Sequence, residues 1–204
     1  PCIPSPVRAW RSAPPRPRLG PPSKAPEGSR RAAGGFPTRP GSPAVPEDEE
    51  IRRVLPLVKE AVKLGVAISV DTYKPRVMQA VLDLGADIIN DVWGLRADPL
   101  MAATAARYQA PIILMHNRSK PANAKLQQRL GGRYIGIEYA NLLQDICAEL
   151  LESVTLARAA GVDDRRIILD PGIGFGKTVE QNLELVNRLG EIKALGYPLL
   201  RRTA

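Results

Sequence analysis

The sequence predicts an α/β protein built around a parallel sheet. Three observations carry this. Short apolar runs recur without polar alternation, at VAISVD (66–71), ADIIND (86–91), PIILMHN (111–117) and Ile167–Asp170. Strands of that kind are buried on both faces, as in parallel sheets. Stretches of helical periodicity separate them, the mark of βαβ units. Each of the four strands also ends in a polar side chain: Asp71, Asn90 beside Asp91, His116 beside Asn117, and Asp170.

Residues 1–46 hold 13 of the 20 prolines and show no apolar periodicity. A stretch of this kind buries too little surface to offset chain entropy, so it is expected to be irregular or disordered. A targeting peptide, a basic interaction arm and a stretch never selected to fold, such as an out-of-frame start, all fit it. The compositional bias toward Pro, Arg, Ala, Gly and Ser favours the last.

From residue 47 the texture changes. EDEEIRRVLPLVKEAVKLG is acidic at its start and basic later, as a helix dipole prefers, and Pro56 is expected to kink or interrupt that helix. Pro75 begins a helix through Leu84, stopped by Gly85. Asp98-Pro99 reads as an N-cap with proline at the first helical position, opening a helix to about Tyr108. A polar loop spans 118–134. A long helix is expected over roughly 137–160, with Tyr139, Leu142, Leu143, Ile146, Leu150, Val154 and Ala157 on one face. Gly161 stops it.

RIILDPGIGFGKT (166–178) then gives a strand, a glycine-rich turn and a helix start. Thr178 and Gln181 have capping-box spacing. A helix to about Leu195 and a fifth strand beginning at YPLL follow. A phosphate-binding P-loop has the pattern G-x-x-x-x-G-K-[ST]; counted back from Gly176-Lys177-Thr178, its first glycine falls at position 171, where this chain has Pro171. Proline also offers no N–H to a phosphate. A generic glycine-rich βα turn remains the plain alternative.

Composition bounds the function. The 204 residues suffice for one sizeable core. No apolar run is long enough to span a bilayer. Two distant cysteines and one histidine suggest neither a disulfide framework nor a zinc site, and they suit a reducing cytoplasm. The net charge of +8 is concentrated in the tail: residues 1–33 carry seven basic side chains against Glu27 alone. The basic character thus belongs to the tail and not to a folded nucleic-acid-binding face.

Asp71, Asn90, His116 and Asp170 would converge on one rim, the end of the sheet where α/β enzymes place their chemistry. Taken singly, each is also an ordinary turn or hydrogen-bonding residue. Together they lack a Ser-His or Cys-His nucleophile pair. Carboxylates at 71 and 170 suit magnesium or the cationic edge of a heterocycle. Asp with Asn suits a ring presenting N–H beside C=O, such as a pterin. Phe175 would pack on such a ring, and Arg39 would clamp an anion.

ISVDTYKPRV, IINDVWGLRADPLM, PIILMHN, LDPGIGFGKTVEQNLELVNRL and LGYPLL together resemble dihydropteroate synthase. TRPG at 38–41 fits as well, within GGFPTRPG where that family has GGESTRPG. The resemblance covers roughly residues 34–200. It implies a TIM (β/α)8 barrel, here a partial one over 47–204. It also implies condensation of a dihydropterin pyrophosphate with 4-aminobenzoate, assisted by Mg2+. By the same resemblance Asp71, Asn90 and Asp170 form the pterin pocket, and Met115, Gly174 and Phe175 line it. Thr38 and Arg39 belong to a mobile loop over the reacting end. A cytoplasmic homodimer is implied, with neither nucleic acid nor membrane as partner.

The departures from the family shape a further expectation. Residues 1–33 offer no counterpart of its first strand and metal-binding asparagine, SRRAA stands where a second strand is expected, and RRTA follows YPLL. The expectation is a chain truncated at both ends, with about four and a half of eight barrel strands and little or no activity alone. A pterin-binding methyltransferase-type domain and a non-catalytic remnant are the other readings.

Overall fold

The computed structural model describes residues 30–32, 45–118 and 137–200. Five strands form one sheet: β1 (Arg30–Ala32), β2 (Ile68–Asp71), β3 (Ile88–Asp91), β4 (Ile112–Met115) and β5 (Ile167–Asp170). Every pairing is parallel, and the spatial order equals the chain order. A sheet in which each strand lies next to its predecessor never reverses direction, unlike a doubly wound sheet. It is the arc of a (β/α) barrel.

The helices are α1 (Glu47–Ala61), α2 (Pro75–Asp83), α3 (Leu100–Tyr108), α4 (Leu142–Ala159), α5 (Val179–Asn187) and α6 (Leu189–Lys193). Side chains alternate across each strand. Ile68 and Val70, Ile89, Ile112 and Leu114, and Ile167 and Leu169 enter the main core with Val54, Val77, Val81, Met101, Ile146 and Leu150 of the helices. The alternate positions Asp71, Asn90, Ile113, Met115, Ile168 and Asp170 occupy the other face, which in a barrel is the inside.

Local signals explain most boundaries. Thr178 and Gln181 form the reciprocal capping box. The Asp98 carboxylate accepts from Leu100 N at 2.8 Å, while Pro99 already has helical angles. Leu199 extends the sheet past β5 through a parallel bridge to Leu169.

Three expectations need correction. Pro56 does not interrupt α1, which runs on to Ala61. The residue is exposed, so water can take the carbonyl it leaves unbonded. The long helix starts at Leu142 and not near 137, because Asn141 caps it, accepting from Gln144 N at 3.2 Å; Tyr139 therefore lies outside the helix. Arg30–Ala32 pairs with β2 although the 1–46 stretch reads as irregular. Strand pairing draws on backbone groups alone, and three residues are too few to show a side-chain pattern. The rest of 1–44 and most of the 118–134 loop lie outside the described residues.

Candidate functional site at the carboxyl ends of the strands

Asp71 and Asn90 are register partners at the tops of β2 and β3. Asn90 Nδ2 donates to Asp71 Oδ1 at 2.9 Å. Both side chains are buried, and Asn90 Oδ1 accepts no hydrogen bond among the described residues. A buried amide oxygen without a donor is costly unless a ligand supplies one. Asn90 is also in register with Ile113, and Ile113 with Ile168. One pleat higher, Met115 pairs with Asp170. The three polar residues and Met115 thus lie on one face at one edge, with an apolar floor beneath.

The turn after β5 closes over Asp170. Gly172 N donates to Asp170 Oδ1 at 2.8 Å, and Phe175 N donates to Gly172 O at 3.0 Å. Gly172 approaches β4 so closely that a Cβ there would sit 2.0 Å from His116 O. Gly174 is exposed, with Gly174 N on Asn182 Oδ1 at 2.8 Å, and Phe175 is half-buried. Thr38 and Arg39 lie outside the described residues.

His116 does not join the mouth. Its ring is buried, with Nδ1 3.1 Å from Lys177 Nζ and Nε2 3.1 Å from Glu149 Oε2, the latter without the alignment of a hydrogen bond. Burial holds its pKa down to about 4, against the pull of Glu149. Lys177 is buried as well and donates to Gly172 O at 2.9 Å and Phe175 O at 3.0 Å. Its ammonium is occupied by protein acceptors, which disposes of a P-loop role for the Gly-Lys-Thr sequence. Burial lowers its pKa to about 7, while Asp170 and Glu149 oppose the shift.

Sequence reasoning missed this second layer. Arg96 Nη2 donates to Asn117 O at 2.9 Å, and Arg96, His116 and Arg118 all approach Glu149 of α4. Arg118 also lies over the Tyr139 ring at 4.3 Å, and the Tyr139 hydroxyl donates to Gly176 O at 3.2 Å. Asp91, beside Asn90, turns away from the mouth and accepts from Trp93 N and Leu95 N, both at 2.8 Å. Lys177 was visible in the motif; Glu149 had no signal in the pattern of its helix. Among the described residues no helix is long and apolar enough to cross a membrane.

This arrangement has close parallels. A curated dihydropteroate synthase from Clostridium beijerinckii is 47% identical over 84% of this chain, and one from Bacillus subtilis is 47% identical over 84%. The chain spans 58% and 55% of their lengths. Among solved structures, the Xanthomonas albilineans synthase with 4-aminobenzoic acid superposes with a TM-score of 0.71 at 36% identity, over 82% of this chain and 57% of that one. The Thermus thermophilus synthase in complex with 6HMPPP gives 0.64 at 41%, over 74% and 56%. The family model described as pterin binding enzyme matches residues 33–201, which takes in strands β2 to β5 and every residue of the mouth. The chain therefore belongs to the family of pterin binding enzymes.

Proposed function

We propose that the mouth formed by Asp71, Asn90 and Asp170 binds a pterin and serves dihydropteroate synthesis. The reaction would join 6-hydroxymethyl-7,8-dihydropterin pyrophosphate to 4-aminobenzoate and release pyrophosphate. The observation that carries the reading is the Asn90–Asp71 pair, with the buried Asn90 Oδ1 lacking a donor. A pterin edge supplies N–H groups to that oxygen and to carboxylates, and the amide donates in return. Met115 and Phe175 would flank the ring, and Thr38 and Arg39 would close over its reacting end.

In this reaction the bond from the pterin methylene carbon to the pyrophosphate oxygen breaks, and the arylamine nitrogen bonds to that carbon and loses a proton. The positive charge that develops spreads over the ring. Carboxylates at 71 and 170 stabilise it, so no protein nucleophile is required. The resemblance also implies Mg2+. Among the described residues no three His, Cys, Asp or Glu side chains are grouped to hold an ion. The described residues thus offer no such cluster for a protein-held metal, and magnesium commonly arrives on substrate phosphates. A cytoplasmic location and a homodimer complete the proposal.

Calorimetry with the pterin pyrophosphate tests the reading. The wild-type chain should bind, and Asp170→Asn should weaken binding by about tenfold or more, the worth of one charge-assisted hydrogen bond. No heat of binding with wild type would overturn it. A steady-state assay with both substrates then separates the synthase from a non-catalytic pterin binder, which would bind without turnover. Substitution of methyltetrahydrofolate separates the methyltransferase-type alternative.

A further inference from the structure

We infer that Lys177 is a positioning residue for the mouth: its ammonium ties the turn after β5, which carries Gly174 and Phe175, to the end of β4. The inference rests on the pterin-binding reading for its functional consequence and on geometry for the tie. An ammonium has three donors. Lys177 Nζ meets three acceptors, Gly172 O at 2.9 Å, Phe175 O at 3.0 Å and His116 Nδ1 at 3.1 Å. Two belong to the turn and one to the end of β4, so the side chain spans the junction between the two strands.

Further links at this junction pass through the same residues. His116 N donates to Asp170 O at 2.8 Å. Gly172 packs against the His116 carbonyl, and its N–H holds Asp170 Oδ1. A shift of the turn would therefore move both the Asp170 carboxylate and Phe175. For Nδ1 to accept from the ammonium, His116 must be neutral and carry its proton on Nε2, facing Glu149. The depressed basicity of that buried ring favours this form.

The charged groups around Lys177 are Asp170 from β5, Glu149 from α4, Arg118 after β4, and the His116 ring. Deprotonation would leave Nζ two donors for three acceptors. As Lys177 sits near pKa 7, the tie should loosen as pH rises through neutrality.

Amide hydrogen exchange of the peptide covering 171–176, read against the β4 and β5 peptides of the same sample, tests the tie. In Lys177→Met the turn should exchange about tenfold faster or more, the expected loss of a charge-assisted bond, with the strands unchanged. His116→Leu should act likewise, whereas His116→Asn, which keeps an acceptor near the Nδ1 position, should restore protection. Should the variants fail to fold, the wild-type chain decides: turn protection relative to β5 should fall from pH 6 to pH 9. Pterin affinity should follow the same pH profile in wild type and lose it in Lys177→Met. Unchanged turn exchange in Lys177→Met, or flat wild-type protection across this range, would overturn the positioning role even if pterin binds. A wild-type chain that binds no pterin defeats the functional reading instead, whatever the turn does.

Discussion

At Gly172 the backbone of β4 occupies the space where a side chain would begin. Its φ is +68°, and a Cβ would lie 2.0 Å from the His116 carbonyl oxygen. Gly174 has a similar φ, +83°, but open space around it. Placing alanine at Gly174 should cost only the left-handed strain, about 1 kcal/mol. Gly172→Ala adds a backbone clash that neither strand can relieve without moving the Asp170 carboxylate, and should cost roughly 3 kcal/mol. Urea unfolding of the two variants measures this; equal losses would mean that the close approach is not what demands glycine. The glycine-rich turn was legible in the sequence, and so was Asp170 at its base. Which glycine packing requires was not, because the partner is a carbonyl on a different strand.

Glu149 of helix α4 gathers basic partners from two βα connections, those after β3 and β4. Arg96 Nη1 lies 3.2 Å and His116 Nε2 3.1 Å from Glu149 Oε2, and Arg118 Nε donates to Oε1. Burial pushes the Glu149 carboxyl up, but His116 and Arg118 outweigh it and hold the pKa at about 2, below the ordinary 4.5. A depressed carboxyl contributes stability above its unfolded pKa and loses it as pH falls. Glu149→Gln should therefore cost about 2 kcal/mol at pH 7, between the values for exposed and buried pairs. It should also flatten the stability curve between pH 4.5 and pH 2, as followed by urea midpoints. A variant that keeps the wild-type acid limb would locate the acid sensitivity elsewhere. Elements were legible where a signal is local: the β5 boundaries, the Thr178 cap, Pro75 at the start of α2. Tyr139 was misplaced because the apolar period continues through the Asn141 cap. Glu149 was invisible because its partners arrive from loops that only the completed sheet brings together.

Across the whole molecule the parallel order of strands was readable from apolar runs and their polar ends, since each run is long enough to show burial on two faces. The balance of buried charge was not readable, because burial depends on every layer at once. His116 and Asp91 make the case. Burial lowers His116 from 6.5 to about 4, so the unfolded chain holds the extra proton in that interval and stability rises with pH across it. Burial raises Asp91 from 3.8 to about 6, even though Trp93 N and Leu95 N donate to it, so there the folded chain holds the extra proton and stability falls with pH. The two slopes oppose each other between about pH 4 and pH 6. Wild-type stability should change little across that range. Asp91→Asn removes one of the two, at a cost of about 1–2 kcal/mol at pH 7 for the acceptor lost to Leu95 N. Its stability should then climb steadily from pH 4 to pH 6.5 in a series of urea titrations, as His116 alone dictates. Parallel curves for the variant and the wild type would show that Asp91 ionises in the fold as easily as in the open chain.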